Sequence, residues 1–159
     1  MPHSILVTVE PAFSRSCQSN RLKAIARRVL EAERLPDAEL GILVTGDETV
    51  RGLNRRYAGH DETTDVLSFS LQEGEEFASP GGLLCLGEVI ISFPTAQRQA
   101  ELAGRLLEDE MAHLLVHGIL HLLGYDHAQP EDERHMRRRE AELLGRDYHT
   151  PLSSGHAAL

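Results

Sequence analysis

The chain is expected to form a single α+β domain, and three observations carry that expectation. Helical and strand-like apolar patterns follow one another without the strict alternation of a doubly wound sheet. Two strand-like runs flank an acidic, turn-rich stretch, the pattern of an antiparallel pair. The chain has 159 residues, 41% of them apolar, enough for one domain with a buried core.

The elements follow in order. Ile5 to Val9 reads as a short strand. Asn20 to Leu35 carries Leu22, Ile25, Val29 and Leu30 at helical spacing, and Pro36 stops that helix. Leu40 to Thr45 is a second strand. Asp47 is the expected N-cap of a helix through Tyr57, with Val50 and Leu53 facing the core. Asp65 to Ser70 and Leu83 to Ser92 are strands, and Glu73 to Gly82 between them is a surface loop. Pro94 suits the first turn of a helix that runs to Ala103 and breaks at Gly104. Glu108 to Leu123 is the most apolar helix and ends at Gly124. Pro130 opens a last helix, Glu131 to Leu144, closed by Gly145. The domain is therefore expected over residues 1–145, with 146–159 as a flexible C-terminal tail.

Composition narrows the class. No run approaches the roughly 18 apolar residues of a membrane span, and residues 1–10 lack the basic and apolar regions of a signal peptide. Cys17 and Cys85 form no C-x-x-C pair, which favours a reducing compartment. The net charge of −9 counts against a strongly basic nucleic-acid binder, although a local basic patch can still serve.

Four of the nine histidines, His113, His117, His121 and His127, fall within 15 residues. The last three read H-x3-H-x5-H. Residues i and i+4 of a helix sit one turn apart with about 40° between them, so His117 and His121 can aim at one point. Gly124 lets the chain turn back and bring His127 to the same point. Three neutral imidazoles leave the fourth position of a tetrahedral ion open for water, the layout of a catalytic Zn²⁺. The expected catalytic group is thus a metal-bound water held by His117, His121 and His127, one Zn²⁺ per chain, with the general base unassigned. Asp126 is a candidate to orient a ligand imidazole or to cap the turn. His113 is read as an ordinary helix residue on the adjacent face, with a supporting role as the alternative.

The same histidine spacing occurs in metzincin proteases, H-E-x-x-H-x-x-G-x-x-H. Their Glu is the general base, and Gly118 stands in its place here. General-base catalysis typically contributes about 10²–10⁴-fold, so a peptidase reading is weak.

The segment His117-Gly-Ile-Leu-His121-Leu-Leu-Gly-Tyr-Asp-His127 resembles the signature of the YbeY-type endoribonucleases. Thr64 to Phe69, T-D-V-L-S-F, and Leu86 to Ser92, L-G-E-V-I-I-S, resemble two further segments of that family, in the same order. The resemblance spans about Leu40 to Leu144. It implies a small mixed sheet packed with about five helices and Zn²⁺ on the three histidines. It also implies single-strand-specific cleavage of RNA. The implied roles are maturation of small-subunit rRNA at its 3′ end and ribosome quality control. The implied setting is cytoplasmic, with the ribosome or ribosomal proteins as partners and no membrane.

Two positions depart from the family. Tyr57 is followed by Ala58 where the family commonly has Arg, and Thr63 stands where it commonly has Pro. Arg51, Arg55 and Arg56 are spaced to share a helix face. Arg55 or Arg56 is a candidate substrate-binding replacement for the lost charge, with a solvated helix face as the equal alternative. Arg134, Arg137, Arg138 and Arg139 are interleaved with acids and read as a salt-bridged surface helix. Glu88 is a minor candidate on a motif strand. The remaining alternatives are a metallopeptidase-like hydrolase and a non-catalytic ribosome assembly factor with a structural zinc.

Overall fold

The computed structural model describes residues 3–58, 65–70, 84–125 and 129–145. Strand β1 (His3–Val9) leads through a 3-10 turn (Pro11–Phe13) into helix α1 (Ser19–Ala32). Strand β2 (Ala38–Thr45) is followed by α2 (Asp47–Leu53), which runs into a π-helical turn (Asn54–Ala58). Strands β3 (Val66–Ser70) and β4 (Leu84–Ser92) come next, then α3 (Phe93–Ala103), α4 (Leu107–Leu122) and α5 (Pro130–Leu144). The α+β expectation holds: the described residues form one four-stranded mixed sheet and five α-helices.

The sheet order is β1-β2-β4-β3. β1, β2 and β4 are parallel, and β3 adds antiparallel to β4 as the strand pattern predicts. Leu40, Ile42 and Val44 of β2 and Val89 and Ile91 of β4 face one core. Leu22, Ala26, Val29 and Leu30 of α1 close it, with Ile25 only partly buried at its margin. Helix α4 is central. It packs on α1, α3, α5, β3 and β4, so it is apolar on nearly every side.

The three segments that resemble the family interlock. A Cβ on Gly118 of α4 would meet Val89 Cγ1 at 2.6 Å and Ser68 Oγ at 3.2 Å, so this helix touches the sheet where only glycine fits. The Ser68 hydroxyl donates to the Gly118 carbonyl at 2.8 Å. Gly87 adopts φ +134°, and a Cβ there would lie 2.0 Å from the Phe69 carbonyl oxygen. That conformation belongs to glycine. It sits beside the register shift between β2 and β4.

Several expectations need correcting. Gly46, not Asp47, is the N-cap of α2, in extended conformation. Asp47 lies inside the first turn. Its carboxylate reaches across to α3 and accepts from the hydroxyls of Ser92 and Thr95 and from Arg98. The helix expected through Tyr57 stays α-helical only to Leu53, because the next turn is π-helical. Val50 is fully buried, but Leu53 is only half-buried. Helix α1 ends at Ala32, before the expected Leu35, and Arg34 follows with φ 56°. Gly104 and Gly145 end α3 and α5 in left-handed conformation as expected. The expected Glu73–Gly82 loop and the 146–159 tail lie outside the described residues.

Candidate metal centre

Helix α4 brings His113, His117 and His121 onto one stripe, each four residues from the next. The His117 and His121 rings lie with centroids 4.7 Å apart at 74°. The His113 and His117 centroids are 6.3 Å apart. The i, i+4 spacing of His117 and His121 therefore brings their rings side by side. His127 and Asp126 lie outside the described residues. Among the described residues no group of three His, Cys, Asp or Glu is placed to hold a metal.

Sequence reasoning missed Glu140. By sequence it is one of the acids interleaved in a salt-bridged surface helix, yet it is 2% exposed. Its carboxylate faces the histidine stripe from α5. His117 Nδ1 donates to Glu140 Oε2 at 2.5 Å, and His113 Nε2 donates to Oε1 at 3.3 Å. His113 is thus tied into the cluster rather than being an ordinary helix residue. The signal was available: Met136, Glu140 and Leu143 share a helical phase, and all three are buried. A carboxylate on the core-facing stripe of a helix needs a partner, and the histidine-rich helix supplies it.

Imidazole is a common Zn²⁺ ligand, so the chemistry of the described pair, His117 and His121, is compatible with that ion. A neutral imidazole that donates through Nδ1 keeps its lone pair on Nε2, and a carboxylate partner also makes the ring a better ligand. The turn after α4 is anchored as well. The Tyr125 hydroxyl donates to Glu33 Oε1 at 3.0 Å, and Arg139 Nε donates to Glu33 Oε2 at 2.5 Å. Burial raises the Tyr125 phenol, the hydrogen bond and charge of Glu33 raise it further, and the opposing pull of Arg139 is smaller. Tyr125 stands two residues before His127. Helix α5 therefore grips this region through two successive residues, Arg139 and Glu140.

The other candidates are placed as follows. Arg55 and Arg56 are exposed in the π-helical turn, so the regular helical spacing expected for them with Arg51 does not continue there. Arg139 bears out the salt-bridged reading of α5 through Glu33 and Glu142. Glu88 is exposed and lies beside Gly41. Its neighbour Val89 faces Gly118, so alternation puts Glu88 on the sheet face away from α4. Position 118 itself is filled by the sheet. A metzincin-like glutamate has no room there, which removes the peptidase base on steric grounds.

A sequence model of the family described as Endoribonuclease YbeY matches residues 10–147. The chain belongs to the YbeY family. It is 49% identical over 126 residues to Endoribonuclease YbeY of Pelotomaculum thermopropionicum, covering 79% of this chain and 83% of that one. It is 42% identical over 146 residues to Endoribonuclease YbeY of Dehalococcoides mccartyi strain 195, covering 86% and 85%. The solution structure of TM1509 from Thermotoga maritima superposes with a TM-score of 0.57 over 89% of each chain, at 23% identity. That likeness supports the α+β fold. The stretch matched by the YbeY model contains all four histidines of the cluster and Glu140.

Proposed function

We propose that this YbeY-family protein is a zinc-dependent, single-strand-specific endoribonuclease. Its proposed role is 3′-end maturation of small-subunit rRNA and ribosome quality control. The proposed setting is the cytoplasm, with the ribosome or ribosomal proteins as partners. No helix among the described residues is long and apolar enough to cross a membrane. The observation that carries the proposal is the His117–His121 pair backed by a buried carboxylate, in a chain whose relatives are named endoribonucleases.

In this reading His117, His121 and His127 hold one Zn²⁺ per chain. When bound there, such an ion would supply Lewis-acid polarisation of a phosphate oxygen and would lower the pKa of a water toward neutrality. The protein contributes the rest. Asp126 is proposed to support a ligand ring. Arg55 or Arg56, exposed next to Ala58, is proposed to balance charge on the phosphate. With a net charge of −9, RNA binding is expected to rest on few phosphate contacts and to depend only shallowly on salt.

The test is cleavage of a single-stranded RNA by the wild type and by His121→Ala purified identically, with metal content and thermal stability read on both. The expected result is cleavage by the wild type, with activity and metal lost together in a folded variant. Equal cleavage by both would sink the proposal. A zinc-loaded but inactive wild type would favour the non-catalytic assembly factor instead.

A further inference from the structure

The metal reading leaves one buried ionisable group without a task. Glu140 lies on a different helix from the histidines, and at 2% exposure its charge is costly to bury without close partners. Both of its oxygens are bonded to imidazoles, and the two bonds are not equivalent. His113 presents Nε2 to the carboxylate, whereas His117 presents Nδ1. The ring that turns Nε2 toward Glu140 has spent the nitrogen farthest from its backbone there. The ring that turns Nδ1 toward Glu140 has its other nitrogen, Nε2, outside that bond, and its centroid lies 4.7 Å from that of His121. One carboxylate thus sorts three histidines of a single stripe into one supporting residue and a pair.

We propose that Glu140 is the positioning residue of this centre. It locks His117 in the Nδ1–H tautomer, so that Nε2 bears the ligating lone pair, and it holds His113 back from the ion. The inference rests on the reading of His117 and His121 as metal ligands and adds the group that decides which nitrogen serves. Met136 and Leu143, buried on either side of Glu140 in α5, fix the carboxylate against α4. The orientation of His117 therefore depends on how the last two helices pack.

The substitution to make is Glu140→Gln, which keeps the volume and removes the charge. Two readouts separate positioning from simple support. The first is the nitrogen-15 shift pattern of His117 in metal-free protein at alkaline pH. The second is Zn²⁺ affinity by competition with a chelator, with the thermal midpoint followed on each sample. The expected wild-type result is the Nδ1–H form. In Glu140→Gln the Nε2–H form should rise, and Zn²⁺ affinity should fall by about 10–100-fold. Glu110→Gln, which alters a buried carboxylate paired with Arg105 rather than with an imidazole, should leave both readouts unchanged. A wild-type His117 in the Nε2–H form overturns the proposal. So does a Glu140→Gln protein whose tautomer and Zn²⁺ affinity match the wild type. A wild type that binds no Zn²⁺ overturns the metal reading beneath it, which is a separate result.

Discussion

Two buried glutamates serve α4, one from within the helix and one from α5, and their partners differ in kind. Glu110, in the first turn of α4, is 4% exposed and pairs with Arg105 at 3.2 Å. Glu140, on α5, is 2% exposed and pairs with His113 and His117. A guanidinium is charged at every accessible pH and cannot be a metal ligand, so the Glu110 pair can only hold the structure. An imidazole offers a second nitrogen to something else. The same carboxylate chemistry is architecture in the first pair and, in the metal reading, support for ligand imidazoles in the second.

Breaking the first pair should cost the most stability. Glu110→Gln leaves the Arg105 guanidinium buried against a neutral amide. The expected loss is about 3–5 kcal/mol in chemical denaturation. Zn²⁺ affinity per folded molecule should not change. If Glu110→Gln weakened Zn²⁺ binding as much as Glu140→Gln does, the division between the two pairs would collapse.

A third carboxylate sharpens the contrast from the exposed side. Burial alone would raise the pKa of Asp47. The hydrogen bonds from Ser92, Thr95 and Arg98, with the Arg98 charge, outweigh that and hold it below the ordinary value. A depressed folded pKa stabilises the protein above the unfolded carboxylate value, about 4, and that stabilisation is lost as pH falls through the folded value. Asp47→Ala should therefore cost about 1–2 kcal/mol at neutral pH, mostly from lost hydrogen bonds. The gap to wild type should narrow below about pH 4. A gap that stayed constant down to acid unfolding would show that the charge of Asp47 contributes nothing.

Much of this was legible in local sequence, for physical reasons. Gly104 and Gly145 stop α3 and α5 because left-handed caps favour glycine, and that signal sits at one position. The i, i+4 spacing of His117 and His121 needs only one helix to be read correctly. What was not legible joins distant residues. Asp47 resembles an N-cap by type, but its carboxylate serves Ser92 of β4 and Thr95 of α3, and Gly46 takes the cap. The order β1-β2-β4-β3 and its parallel pairs are set by packing over many residues. Glu140 is the intermediate case. Its phase with Met136 and Leu143 marked it as core-facing, but the surrounding charges of α5 masked that phase.

The most direct test of the metal-centre account is to strip the wild-type protein with a chelator and titrate Zn²⁺ back, reading single-stranded RNA cleavage at each step. The account predicts no cleavage by the stripped protein and a linear return of activity that saturates at one ion per chain. Full cleavage by protein verified to be metal-free would contradict it.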